Sequence, residues 1–342
     1  VESLPGDAHE RAGRSPGAQL ASASDCAAPT TLDVRIGDRA EARMSSPSRR
    51  MSELIALQQQ LAGVGYIADR SLAAALLLMI DLGRPLLLEG DAGVGKTEVG
   101  KALAQVRGAR LIRLQCYEGL DAHAAMYEWN YQRQLLAIKL LEQDERSVAV
   151  KEQDIFSERY LLKRPLLDAI TCETPPVLLI DEVDRADEAF EAYLLELLSD
   201  FQMSIPELGT VRATSVPAVV VTSNGTRELS DALRRRCLYQ FVEYPSFDKE
   251  LAIIEAKMPE VGESLARQTV QFVQSVRRLD LRKKPGIAET LDWAAALLRL
   301  GIEELDRESP ERIVESLAAL IKTREDRAGL THEAVARIAQ AC

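Results

Sequence analysis

Leu86-Leu87-Leu88-Glu89-Gly90-Asp91-Ala92-Gly93-Val94-Gly95-Lys96-Thr97 decides the fold. Pro85 to Glu89 is an apolar run too short for a helix and stopped by glycine, so it reads as a buried parallel strand. Gly90 to Thr97 then satisfies G-x-x-x-x-G-K-[ST], with a helix-like stretch, Lys96 to Val106, directly behind it. Glycines let successive backbone N–H groups turn inward around a polyphosphate, and the N-terminus of the following helix adds partial positive charge. Lys96 would set its ammonium against the β- and γ-phosphates, and the Thr97 hydroxyl would ligate Mg²⁺. An ordinary glycine turn is the competing reading; the strand–loop–helix context favours the phosphate cradle. The expected nucleotide contacts are Gly90, Asp91, Ala92, Gly93, Val94, Gly95, Lys96, Thr97 and Glu98.

Outward from the loop, four more short apolar runs follow at Leu111 to Leu114, Val177 to Ile180, Ala218 to Thr222 and Leu238 to Val242, separated by helical stretches such as Glu188 to Phe201. Strands alternating with helices predict an α/β domain around a five-stranded parallel sheet. Two helices, carrying Leu54, Leu57, Leu61 and then Leu72, Ala75, Leu76, precede the first strand. After Pro245 only helical patterns appear, at Asp248 to Lys257, Ser264 to Arg278, Glu289 to Leu300 and Ile313 to Ile321. The organisation expected is an extension over 1–50, an α/β domain over 51–245 and a helical domain over 246–342. The extension is rich in Ala, Ser, Pro, Gly and Arg and cannot bury enough surface to offset its ordering entropy. Met44 and Met51 are alternative starts.

The third run ends in two acids, Pro175-Pro176-Val177-Leu178-Leu179-Ile180-Asp181-Glu182. Ligands of parallel sheets sit beyond the carboxyl ends of the strands, which brings both acids beside the phosphate loop. Asp181 then serves the Mg²⁺ shell, and Glu182 accepts from the water that attacks the γ-phosphate. The fourth run ends in Ser223-Asn224, where Asn224 orients that water or simply forms a turn. Asp231-Ala232-Leu233-Arg234-Arg235-Arg236-Cys237 follows, just before the last strand. A guanidinium offered across a subunit boundary stabilises charge on the γ-phosphoryl oxygens; Arg236 is the first choice for this and Arg235 the second, against the plain reading of a solvated basic turn.

Composition bounds the rest. The 342 residues carry 42 Lys+Arg against 53 Asp+Glu, a net charge of -11, which argues against a broad basic face and against duplex DNA as main partner, although a locally basic pore in an oligomer survives that test. The longest apolar run, Leu72 to Ile80, is too short for a membrane span and reads as a buried helix. Five cysteines and three histidines show no zinc-ligand spacing, and reduced thiols in a cytoplasmic protein are the expectation.

These motifs in this order resemble the AAA+ ATPases over roughly residues 51–300. The resemblance implies a P-loop NTPase core with an α-helical lid, a ring that is usually a hexamer, and ATP with Mg²⁺ between subunits. It makes Gly90 to Thr97 Walker A, Asp181 and Glu182 Walker B, Asn224 sensor 1 and Arg236 the arginine finger, and it places Tyr66 and Ile67 where the fold holds the base. Gln202 to Pro217 has strand-like arms about Leu208-Gly209-Thr210 and reads as an inserted β-hairpin; Gln115 to Leu136 is a second insert, with Tyr117, Tyr127, Trp129 and Tyr131 clustered in it. Both inserts are similar to those of the clade that holds the MoxR proteins and the magnesium chelatase ATPase subunits, and the wording CYEGLD and YEWNYQRQLL is similar to MoxR proteins of the CoxD kind. That likeness implies a chaperone for maturation of a molybdenum- and copper-containing carbon monoxide dehydrogenase, acting on a metalloenzyme client with a von Willebrand factor A domain partner. A nucleic-acid motor or loader on the same core is the alternative, and a scaffold that scarcely hydrolyses is a third. The sequence departs from the MoxR pattern at 282–289, where Gly286 falls at the position of the sensor 2 arginine. Arg282 and Lys284 are the cations nearby, although a lysine does not reproduce a bidentate guanidinium contact.

Overall fold

A computed structural model describes residues 47–141 and 147–342. The expected extension lies outside the described residues up to residue 46, and 47–50 instead open the first helix, Pro47–Gly63. Proline suits a first helical turn, where its missing N–H costs nothing, and the Arg49–Glu53 pair at 3.1 Å braces the exposed face one turn on.

Nine strands are present among the described residues: β1 (Leu86–Glu89), β2 (Leu111–Gln115), β3 (Tyr127–Trp129), β4 (Leu161–Lys163), β5 (Val177–Asp181), β6 (Gln202–Ile205), β7 (Gly209–Arg212), β8 (Ala218–Ser223) and β9 (Leu238–Phe241). Five of them form one parallel sheet in the order β2-β5-β8-β1-β9. The continuous apolar runs follow from burial on both faces. Leu178 and Ile180 of β5 join one hydrophobic cluster with Phe190 and Leu194, while Val177 and Leu179 join another with Val99 and Leu103. Truncating such a side chain to alanine costs about 2–5 kcal/mol. The order sets the carboxyl ends of β1 and β8 side by side, so the loop after Glu89 and the turn after Ser223 face each other across the crevice that parallel sheets use for ligands.

The hairpin is real, with a shifted turn. Strands β6 and β7 pair antiparallel from Gln202↔Arg212 to Ile205↔Gly209, so the turn is Pro206-Glu207-Leu208, and Gly209, at φ +80°, opens the returning strand. The insert after β2 is larger than its sequence pattern showed. It holds a small antiparallel pair, β3 with β4, and helices Tyr131–Leu141 and Val148–Ile155. Its aromatics divide by position. Tyr127 and Trp129 are buried and meet edge to face, Trp129 also against Phe156, whereas Tyr117 and Tyr131 are exposed.

Beyond Tyr244 the chain is helical: Phe247–Lys257, Glu263–Arg277, Ile287–Arg299, Pro310–Ser316, Arg324–Gly329 and His332–Gln340. The stretch expected over Ile313 to Ile321 begins earlier because Ser309 caps it, accepting from the Arg312 N–H, with Pro310 at the first helical position. Trp293 and Phe272 fill the centre of this region, their ring centroids 4.7 Å apart, and the indole N–H donates to Ser316 Oγ at 2.8 Å. A buried ion pair ties three of the helices together. Arg277 donates to both Glu250 oxygens at 2.6 Å and to Pro285 O at 2.7 Å, and Thr290 Oγ1 donates to Glu250 Oε1 at 2.8 Å. No described helix is long and apolar enough to cross a membrane.

Candidate nucleotide-hydrolysis site

The phosphate loop is shaped by close backbone approach. A Cβ on Gly90 would stand 2.2 Å from Val242 O, and Gly93 and Gly95 take φ +84° and +91°, a conformation that side chains rarely adopt. The helix Lys96–Arg107 starts at the loop's end, so its free N–H groups face the crevice. Lys96 is buried and its Nζ donates to Gly90 O (2.8 Å), Asp91 O (2.7 Å) and Asn224 Oδ1 (2.9 Å). Burial lowers its ammonium pKa; the carboxylates of Asp184, Asp91, Asp181 and Glu182 oppose that shift.

Asp181 sits at the carboxyl end of β5, 2% exposed. Its Oδ1 accepts from Thr97 Oγ1 (2.9 Å) and Thr222 Oγ1 (2.6 Å), and its Oδ2 accepts from Arg113 (2.5 Å). The expected metal pair, Thr97 and Asp181, is therefore assembled by direct contact. Hydroxyl and carboxylate oxygens are the hard donors Mg²⁺ prefers, and that ion ordinarily takes its other ligands from phosphates and waters, so these residues fit it.

Glu182 has φ 56° and ψ 50°, left-handed for a residue with a Cβ. Its N–H donates to Thr222 Oγ1 at 2.9 Å, which fixes that backbone. Its carboxylate accepts from Asn224 Nδ2 (3.3 Å), Gln115 Nε2 (3.0 Å) and Arg185 Nε (2.8 Å). Strain of this kind collects where structure over-determines a functional side chain. The Asn224 amide thus spans Lys96 on one side and Glu182 on the other.

Four participants escaped the sequence reading. Asp184, 3% exposed, accepts from the N–H groups of Asn224 (3.1 Å) and Thr226 (3.0 Å) and from Thr226 Oγ1 (2.6 Å), so it builds the turn that presents Asn224. Burial alone would raise its carboxyl, but those hydrogen bonds outweigh burial and hold it below the usual range. Arg113 and Gln115 are i and i+2 on β2, on the same face as Asp181 of neighbouring β5. Two long polar side chains inside an otherwise apolar strand were the available signal. Arg185, three residues past Glu182, carried none.

Arg236 lies at the end of the helix Asp231–Arg236, where its Nε donates to Ser199 Oγ and its Nη1 to Ala232 O at 2.9 Å. Arg235 is exposed. Tyr66 packs on the cluster that includes Val94 and Val99, and Ile67 beside it is partly buried; Glu98 is half exposed and pairs with Lys101. Gly286 caps the helix Ile287–Arg299 and lies on the loop itself. Arg282 pairs with Glu325 at 3.7 Å, and Lys284 is exposed.

Residues 85–237 match the family model described as AAA domain (dynein-related subfamily). With the parallel sheet and the phosphate loop, this match gives the chain a P-loop core of the AAA+ type, followed by a further helical region. No curated protein matches the chain by sequence. Solved structures that it resembles include the Thermotoga maritima RuvB Holliday junction branch migration motor, at 15% identity and TM-score 0.38 over 80% of this chain and 69% of that one. A proline-to-glycine mutant of Thermotoga maritima RuvB matches at 16% identity and TM-score 0.41, over 82% of this chain and 72% of that one. The expectation that set nucleic acid aside as a partner does not stand on the net charge it was drawn from. Its physical weakness is plain: a charge of -11 summed over the whole chain says nothing of the local field on any one face.

Proposed function

We propose that this chain is a Mg²⁺-dependent ATP hydrolase that turns ATP hydrolysis into work on a macromolecule. The observation that carries the reading is the Asn224 amide, bonded at once to the loop lysine and to the strand-end glutamate. In this reading the backbone of Gly90 to Thr97 and the Lys96 ammonium bind the phosphates. Thr97 and Asp181 hold Mg²⁺, which when bound neutralises charge on the phosphate oxygens. Glu182 positions the attacking water as hydrogen-bond acceptor, Asn224 fixes Glu182 relative to Lys96, and Gln115 and Arg185 restrain the same carboxylate from its other side. Tyr66 and Ile67 flank the base. Arg236 is lent to the site of another copy of the chain.

The MoxR and CoxD wording of the insert supports a metalloenzyme client, and the comparisons add nothing to that. The one activity the comparisons name is that of a Holliday junction motor, so a motor or loader on nucleic acid is the client class to test first. Turnover of the purified chain is measured with ATP and Mg²⁺ for wild type and Glu182→Gln, then with single-stranded, duplex or branched DNA, and separately with a molybdenum enzyme apoprotein. Stimulation by DNA alone supports the nucleic-acid reading, and stimulation by apoprotein alone supports the chaperone. Equal rates for wild type and Glu182→Gln remove Glu182 from the mechanism.

A further inference from the structure

Strand β1 leads into the phosphate loop, and both of its ends carry a charge aimed at the arginine helix. At its start, Arg84 donates through Nη2 to Arg235 O (2.7 Å) and Cys237 O (3.5 Å) and through Nε to Arg236 O (3.4 Å). A guanidinium on the last carbonyls of a helix satisfies acceptors that lack intrahelical partners and complements the local partial charge. At the strand's other end, Glu89, largely buried, sets Oε2 3.4 Å from Arg234 Nη2. Its Oε1 is 3.6 Å from where a Cβ on Gly225 would lie, the residue after Asn224.

The Glu89–Arg234 pair is loose. Glu89 Oε2 and Arg234 Nε are both buried without a hydrogen-bond partner among the described residues. A largely buried carboxylate facing a half-exposed guanidinium, a few tenths of an ångström beyond good geometry, gains from a small approach and loses from a small separation. Burial first, and then the Glu89 carboxylate, raise the Tyr239 phenol on the adjacent strand, which places that side chain at the same junction. The carboxylate therefore stands where the phosphate-loop strand, the Asn224 turn and the arginine helix meet.

We propose that Glu89 and Arg84 are positioning residues for the arginine helix, so that a chain's own phosphate-loop strand sets where its Arg236 stands toward another copy. The inference rests on the hydrolase reading above and names a control that it lacks: a displacement of β1 or of the Asn224 turn reaches Arg236 through Arg234 and through the carbonyls of Arg235 to Cys237. The residue lent to the neighbour then reports the lender's nucleotide state.

Mixing chains of two kinds tests it. Arg236→Ala chains keep an intact hydrolytic site, and Glu182→Gln chains keep the arginine but cannot hydrolyse. Mixed in equal amounts, the Glu182→Gln donors are expected to raise turnover at least about tenfold above either variant alone, as befits a guanidinium supplied in trans. Donors that also carry Glu89→Gln or Arg84→Gln are expected to restore less than about a tenth of that gain, and Glu89→Asp donors to restore most of it. A Glu89→Arg/Arg234→Glu exchange, which reverses the pair without deleting it, is expected to recover donor activity and covers the case of a Glu89→Gln chain that fails to fold. Full restoration by Glu89→Gln and Arg84→Gln donors overturns the inference and leaves the hydrolase reading standing. Failure of the parent donor to restore anything, with wild type active, removes the lending of Arg236 and this inference with it. An inactive wild type removes the hydrolase reading first.

Discussion

Gly93 of the phosphate loop and Gly286 at the start of the helix Ile287–Arg299 touch backbone to backbone. A Cβ on Gly286 would lie 2.6 Å from Gly93 Cα and 2.7 Å from Gly93 O, and a Cβ on Gly93 would lie 2.9 Å from Gly286 Cα. The Ile287 N–H donates to Gly93 O at 2.8 Å, and the Gly286 N–H is capped by Glu289 Oε2 at 3.0 Å. Gly286 is the one residue small enough to let the helical region sit on the loop.

Gly286→Ala therefore forces two backbones apart, since neither partner in the clash is a flexible side chain. We expect a loss of about 1–3 kcal/mol in stability, the range for overpacking. An ATP dissociation constant raised about tenfold is also expected, as the loop loses its restraint. Urea unfolding and titration with a fluorescent ATP analogue read the two effects. An unchanged dissociation constant would separate the contact from nucleotide binding.

Glu182→Gln keeps the size of the side chain and its bond from Asn224 while removing the charge. The expected outcome is turnover reduced by about 10²–10⁴-fold with ATP still bound, the span for loss of a general base or water-orienting group. Steady-state ATPase kinetics and equilibrium binding on the same preparation decide it.

Metal dependence follows from Thr97 and Asp181. Chelation with EDTA should stop turnover reversibly. Thr97→Ala, which leaves Asp181 held by Thr222 and Arg113, should raise the Mg²⁺ concentration for half-maximal rate while leaving the fold intact by circular dichroism. A rate indifferent to Mg²⁺ would refute the assignment.

The buried pair Arg277–Glu250 makes the helical region sensitive to single substitutions. Arg277→Met strands the Glu250 carboxylate, which is 0% exposed, and should cost about 3–5 kcal/mol. The double variant Arg277→Met/Glu250→Leu should recover much of that, because burial without charge carries no desolvation penalty. Urea midpoints of the three proteins supply the test.

Asp184 gives a signed pH dependence. Its folded-state pKa is depressed, so its stabilising contribution is present above the unfolded-state pKa, near 3.9, and is lost as pH falls through the lower folded value. Wild type should therefore exceed Asp184→Asn in stability at pH 7, and the two should converge as the pH falls below that range. A gap that stays constant down to pH 2 would show that the carboxylate's charge is not what holds the Asn224 turn.

The parts of the site that were legible share a local cause. The phosphate loop, the acids ending β5 and Asn224 ending β8 each combine a continuous apolar run with a polar terminus, and both features are contiguous in the chain. The contacts that complete the site are not contiguous. Arg113 reaches Asp181 and Gln115 reaches Glu182 only because β2 lies beside β5, and Asp184 meets Thr226 only because β5 lies beside β8. The hairpin turn was misplaced by two residues because Gly209 drew it. A glycine at positive φ also suits the first residue of a returning strand, and the pairing of Ile205 with Gly209 shows that role. Arg324–Gly329 was missed because a polar helix of six residues spans too few turns to show a period, whereas His332–Gln340 does carry a periodic apolar face, with Val335 and Ala339 buried, that went unread.

By itself the sequence determined the class of the fold and the chemistry at the strand ends. Hydrophobic runs of four to six residues alternating with helical stretches fit the doubly covered strands of a parallel sheet, and a glycine loop with lysine and threonine between strand and helix suits a polyphosphate. Tertiary structure alone decided how the arginine helix is held and what stands against the phosphate loop at Gly93. Arg84 bonds to a helix carbonyl 151 residues further on, Glu89 pairs with Arg234 of the same helix, and Gly93 and Gly286 are 193 residues apart. Contacts at such separation are set by how strands order and helices pack, and residue identities along the chain do not carry that information.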